Sequence, residues 1–314
     1  MRTILLIPLI LLTLGGFTME EKKELPNFDK LWDYNDPAKT EKQFQEILDN
    51  LDDKDENYRL ELLTQLARTK GLQKKFEEAH KTLDIVEKSL NDDRKIIKIR
   101  YLLERGRVFN SSGKKLGVAR FLFLQAYDFG NEHKLDYYTL DAAHMMGIVE
   151  PPNTQLDWNL KAIKIAEDSE DKRLKGWLGP LYNNTGWSFH DIGKYEEALG
   201  LFQKGYEFRL KIKDEQGARI QKWTIGHALR SLERIEEAYK VQKELEQEII
   251  EKKIAQDGYN FEELGECLLL MTKAEEAQRY FKLAYENLSK DEWLQENEAE
   301  RLLRLKKLAG LEEK

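Results

Sequence analysis

The chain of 314 residues contains one cysteine, six prolines and no concentrated basic stretch, and each scarcity excludes something. A lone Cys267 cannot close an intramolecular disulfide or share a metal site with a second thiol, and it reads as a small buried side chain. No proline lies between Pro37 and Pro151, and none follows Pro180. The intervening sequence is rich in Glu, Lys, Leu, Gln and Ala, which favours helices. A net charge of -7 argues against general nucleic-acid binding, which needs a concentrated basic face. Missing too are a glycine-rich phosphate loop, a Gly-x-Ser-x-Gly elbow and a His-Glu-x-x-His run. No spacing of carboxylates singles out an acid–base pair. Neither enzymatic activity nor a cofactor is therefore expected. What is present is a 41% hydrophobic content, enough for a folded core, and charges of both signs spread along the chain.

The first eighteen residues stand apart. Arg2 is followed by a short apolar run and by Gly15 and Gly16, the pattern of a signal peptide or membrane anchor. The run is short for a spanning helix, which needs about 20 apolar residues. The reading is an exported or membrane-tethered protein, or a cytoplasmic one if Met19 is the true start. Residues 19–57 read as a charged linker and a lead-in, with apolar Phe28, Leu31, Trp32 and Tyr34. Asp36-Pro37 marks a helix start, Asp36 capping and Pro37 in the first turn.

From residue 58 the sequence repeats itself. Small residues recur at Ala67, Gly106, Ala143, Gly186, Gly226 and Gly265, spaced 39, 37, 43, 40 and 39 residues apart. Each is followed by a second small residue: Ala79, Ala119, Ala162, Ala198, Ala238 and Ala277. The clearest copy is 183–205, with Gly186, turn Gly193 and Ala198, and large Phe189, Tyr195 and Phe202 around them. Gly71 falls in register in the first copy. The second carries one extra turn residue, and the turn of the third is rebuilt around Pro151-Pro152. Small residues let two antiparallel helices approach, and large ones fill the seam.

This pattern resembles the tetratricopeptide repeat, with a period longer than that family's usual ~34 residues. The resemblance implies an all-α, right-handed αα-superhelical solenoid of about six helix-turn-helix repeats over residues 58–290. The remainder, 291–314, reads as a capping helix, with Trp293, Leu294, Leu302, Leu303, Leu305 and Leu308.

In that family the first helix of each pair lines the concave surface. Carried over by position, the inward residues after the anchors are Arg68, Arg107, His144, Trp187, His227 and Glu266. Three positions later come Asn110, His190 and Arg230; three before the anchors come Thr64, Asn183, Trp223 and Glu262. The expected partner-binding set is Arg68, Arg107, Asn110, His144, Asn183, Trp187, His190, Trp223, His227 and Arg230. Trp, His, Asn and Arg together have the composition of a recognition surface. Arginines toward one end and glutamates toward the other would orient a bound peptide. A chaperone-type carboxylate clamp is not expected, because the lysines are missing and Trp187 stands where Asn would be wanted. Histidines 144, 190 and 227 lie on successive first helices, but repeats about 10 Å apart do not converge on one zinc. The Asn-x-Ser/Thr matches at Asn110, Asn183 and Asn287 are read as chance. The function expected is a non-enzymatic scaffold binding a protein, peptide or partner helix in its groove. Self-assembly of the solenoid, or metal or small-ligand binding, is the alternative. No nucleic-acid contact is expected, and a membrane contact only through the N-terminal segment.

Overall fold

A computed structural model describes residues 25–255 and 258–311. The expected signal peptide or anchor at 1–18 lies outside the described residues. Among the described residues no helix is long and apolar enough to cross a membrane.

Six antiparallel helix pairs follow one another, and each pair packs on the next. They are α2 (Glu56–Leu72) with α3 (Phe76–Lys88), α4 (Lys95–Ser111) with α5 (Leu116–His133), and α6 (Asp136–Val149) with α7 (Pro152–Asp168). After the short α8 (Lys172–Lys175) come α9 (Leu178–Asp191) with α10 (Tyr195–Lys211), α11 (Glu215–Ser231) with α12 (Ile235–Glu251), and α13 (Gly258–Leu270) with α14 (Ala274–Leu288). Ahead of them stands α1 (Pro37–Asp49), started by Asp36, whose carboxylate accepts from Lys39 N. The fold is the all-α repeat solenoid expected from the sequence.

The anchors sit where the sequence pattern requires. A Cβ built on Gly106 would stand 2.5 Å from the Phe123 ring, and one on Gly265 2.8 Å from Phe281. Gly186 faces Phe202 in the same way. The fifth pair departs from this. Gly226 faces Gln242, fully buried, which donates to the Trp223 carbonyl at 3.0 Å and accepts from Asn260 at 2.8 Å. A buried amide with both ends satisfied holds a seam that is aromatic in the second, fourth and sixth pairs.

First and second helices differ in burial. The second helix α14 buries one stripe, Ala277, Phe281, Ala284 and Leu288. The first helix α4 buries Ile97, Ile99, Tyr101, Leu102, Leu103 and Val108, residues on several of its sides. It is enclosed by its own partner and by neighbouring pairs.

Most turns within pairs have three residues with the middle one left-handed. In α9–α10 it is Gly193 (φ 77°), with Lys194 N bonding Phe189 O at 3.0 Å and Gly193 N bonding His190 O at 2.9 Å. That is the helix-ending loop which left-handed residues close. The corresponding residue of the first pair is Lys74 (φ 61°), and Gly71 lies inside α2 rather than in the turn. The α4–α5 turn does carry an extra residue, and both Gly113 and Lys115 are left-handed. The long spacing between the third and fourth anchors comes mainly from residues 169–177, which contain α8, while the Glu150-Pro151 turn itself is short.

The C-terminal cap is two helices, α15 (Glu292–Asn297) and α16 (Ala299–Leu308), broken at Glu298. Leu294, Leu302 and Leu305 join Phe281 and Leu288 in the last core cluster. Trp293 and Leu303 point outward instead, 58% and 63% exposed. Cys267 is fully buried, and burial pushes its thiol up to about 12, so it is no ready nucleophile.

Candidate functional site

The first helices α2, α4, α6, α9, α11 and α13 carry the expected inward residues, and α16 follows them. Side chains reach from repeat to repeat across this surface. Two separate constellations result.

The N-terminal one is ionic. Arg68 NH1 donates to Glu104 Oε1 at 3.2 Å, and Arg107 NH1 donates to the same oxygen at 2.7 Å. The other end of Arg107 pairs with Asp141. Glu104 and Asp141 are only 2% and 6% exposed. Burial pushes the Asp141 carboxyl upward; Arg107, with Arg68 behind it, outweighs this and holds it below the usual carboxylate range. The chain's own lead-in covers Arg68. Trp32 and Tyr34 stack at 4.8 Å, and the Arg68 guanidinium lies 5.6 and 5.4 Å from their centroids. His144 packs edge-on against Trp177 at 5.5 Å, and burial lowers its pKa.

The C-terminal constellation is aromatic. Trp187 meets four rings: His190 at 5.2 Å, Phe202 at 5.4 Å, His227 at 5.3 Å and Trp223 at 6.0 Å. His190 and His227 stand 5.0 Å apart. Side chains therefore bring these two histidines much nearer than helix spacing alone suggested, while His144 stays with Trp177. Among the described residues no group of three His, Cys, Asp or Glu is placed to hold a metal. His190 Nε2 lies 2.9 Å from Ser231 Oγ, and the Trp223 indole donates to the Tyr259 carbonyl at 3.2 Å. His227 Nδ1 is 2.8 Å from Glu263 Oε1, and Arg230 holds both oxygens of that carboxylate at 2.8 Å. Burial would raise the Glu263 carboxyl, but His227 and Arg230 bring it down to about 2. Burial, then the neighbouring His227, lowers His190.

Trp187, Trp223, His227 and Arg230 line a concavity of about 470 Å³ on this side. On its far wall Glu262 and Glu266 were expected to face inward, whereas Glu263, Arg301 and Arg304 were not anticipated. Arg301 on α16 pairs with Glu262 at 2.5 Å and Arg304 with Glu266. The capping helix thus completes the groove. Its arginines at positions i and i+3, opposite the glutamates of α13, were the available signal. Asn110 is half-buried near the end of α4, and Asn183 accepts from Gln221 at 2.6 Å. The expected charge asymmetry is corrected: arginines at one end and glutamates at the other are each neutralised by local partners, so the groove offers no net gradient from these residues.

The fold and this surface define a tetratricopeptide-type solenoid with a partly open groove. No family model matches the chain, and no curated protein matches it. Solved structures share its fold. The apo form of RapI is 14% identical at a TM-score of 0.66, covering 82% of this chain and 76% of that one. A signal-transduction ATPase from Pyrococcus horikoshii with a tetratricopeptide repeat sensor is 16% identical at 0.67, over 86% of this chain. This chain spans 41% of that protein. NprR in complex with its cognate peptide NprX is 14% identical at 0.50, over 89% and 82%. At such identities the likeness is one of fold.

Proposed function

We propose that the chain is a non-enzymatic interaction scaffold that takes a short extended peptide in the C-terminal half of its groove. The carrying observation is the open concavity of about 470 Å³ bordered by Trp187, Trp223 and His227 and walled by α16. Exposed faces of large aromatics beside fixed, paired charges suit an apolar or aromatic side chain at the centre, with backbone contacts at the rim. From α9 through α11 and α13 to α16 are three helix spacings, about 24–30 Å, matching roughly seven to nine extended residues. That a protein of the same fold, NprR, binds a cognate peptide supports the reading. Export or membrane tethering through residues 1–18 belongs to the same proposal, and cell fractionation tests it.

The test is capture from native extract, followed by titration of the captured partner's segment against the parent and against Trp187→Ala. Loss of binding in a variant with unchanged helical content and melting supports the site. Undiminished binding moves it to the convex face and refutes the reading.

A further inference from the structure

The N-terminal half of the groove has an occupant. Residues 26–34 lie against α2 and α4 through contacts of the kind that hold a bound peptide. The Tyr58 hydroxyl donates to the Pro26 carbonyl at 2.6 Å. Phe28 enters a pocket between Tyr58 and Phe44, at 5.2 and 6.3 Å. Asp29 receives a two-pronged bond from Arg100, at 3.2 and 2.6 Å. The Trp32 indole donates to Gln65 Oε1 at 3.2 Å, and Arg68 lies against Trp32 and Tyr34.

Phe28 is buried with Phe44, Leu62 and Leu66, and three features set the polar side of the arrangement apart from an ordinary core. The buried member of the main ion pair belongs to the solenoid: Arg100 is 9% exposed at its side chain and Asp29 48%. The solenoid also supplies carboxylates of its own beside these arginines. Arg100 Nε faces Glu61 at 3.3 Å, and Arg68 and Arg107 keep Glu104 and Asp141. Finally, the fit is incomplete. A polar hollow of about 70 Å³ remains between the segment and α4 and α6, and Glu104 Oε2, buried beside it, has no hydrogen-bond partner. Apolar cores close such gaps, whereas polar interfaces commonly hold them with water.

We propose that residues 26–34 occupy in cis a second peptide subsite, one that also accepts in trans a partner segment of the same chemistry. That chemistry is an aromatic residue followed directly by an acid, with tryptophan three positions after the acid, as in Phe28-Asp29-Lys30-Leu31-Trp32. The subsite lies apart from the aromatic concavity and does not depend on the function proposed for it.

The experiment uses the full chain and a fluorescent synthetic peptide of residues 25–36. Asp29→Ala with Trp32→Ala loosens the chain's own segment. The peptide is expected to bind this variant about tenfold or more tightly than the parent, a difference of about 1.4 kcal/mol. Adding Arg100→Ala, or changing the peptide's acid to alanine, abolishes the gain. Equal binding to parent and variant, or indifference to Arg100→Ala, overturns the proposal. Loss of fold in the loosened variant also counts against it, because a ligand is dispensable to its receptor and a core segment is not. Trp187→Ala leaves this binding unchanged; if it abolishes it, the peptide sits in the other half, and this proposal falls while the proposed function stands.

Discussion

The two halves of the groove use the same helix-pair scaffold and do different things with it. In the N-terminal half the positions after the anchors are Arg68 and Arg107, locked into buried acids, and Trp32 and Tyr34 roof Arg68. In the C-terminal half the equivalent positions are Trp187 and His227, whose rings border an open concavity. The lesson is that an inward-pointing residue is not thereby a free one. A buried arginine must find carboxylates, and once paired it has little left to offer a partner. An indole or imidazole needs one or two polar contacts and keeps a face free.

The largest expected effect tests this asymmetry of commitment. Arg107→Ala leaves Glu104 and Asp141 buried with too few cations and should cost about 3–5 kcal/mol in urea melts. Arg304→Ala, at a side chain 51% exposed, should cost less than about 1 kcal/mol. Similar losses from the two would erase the distinction between the halves.

Next comes Glu263, a buried carboxylate of the aromatic half that is paired with both Arg230 and His227. Glu263→Gln should lower stability at neutral pH by about 2–3 kcal/mol by weakening its bonds to Arg230 and His227. Its folded pKa, about 2, is depressed from 4.5. Its contribution is therefore complete above about 4.5 and declines as pH falls toward 2. Acid melts of parent and variant should converge across that window.

For binding, Trp187→Ala should weaken the C-terminal-half ligand by about 2 kcal/mol, roughly thirtyfold, as a central aromatic anchor does. Arg68→Ala should leave that ligand within about twofold, since its guanidinium is already occupied in the other half. Calorimetric titration distinguishes the two.

The smallest effect links the halves. His144 in one and His190 in the other both have pKa values lowered by burial. Both favour the neutral imidazole in the fold, so stability should fall as pH drops below 6.5 toward 5. His144→Gln and His190→Gln should each flatten that slope in thermal melts. A parent indifferent to this pH change would contradict both shifts.

The repeat was readable because its cause is local and steric. Where two helices cross on a phenylalanine, as at Gly106 on Phe123, Gly186 on Phe202 and Gly265 on Phe281, only a small residue fits, and a small residue returns at the crossing of each pair. The Asp36-Pro37 start was legible for the same reason, since capping involves residues three apart. The groove was legible only in part. Trp187, His190, Trp223, His227 and Arg230 gather as neighbours, but Glu263, Arg301 and Arg304 were missed. The partner of Arg301 lies 39 residues away and that of Arg230 33, so which pairs meet depends on how far each repeat rotates on the last. The break at Glu298 followed no proline or glycine, and the outward turn of Trp293 and Leu303 depended on which face of α14 was left for α16 to cover.

By itself, then, the sequence determined an all-α chain of six stacked helix pairs, because helix propensity and close crossing are set within about forty residues. Tertiary structure alone decided which inward residues remain available. Pairing of buried charges is compulsory in a low-dielectric interior, and the superhelix chooses the partners. It also decided that the lead-in folds back over the arginines of the first repeats, since a segment of nine residues settles wherever the packed surface offers its aromatics and acid a complement.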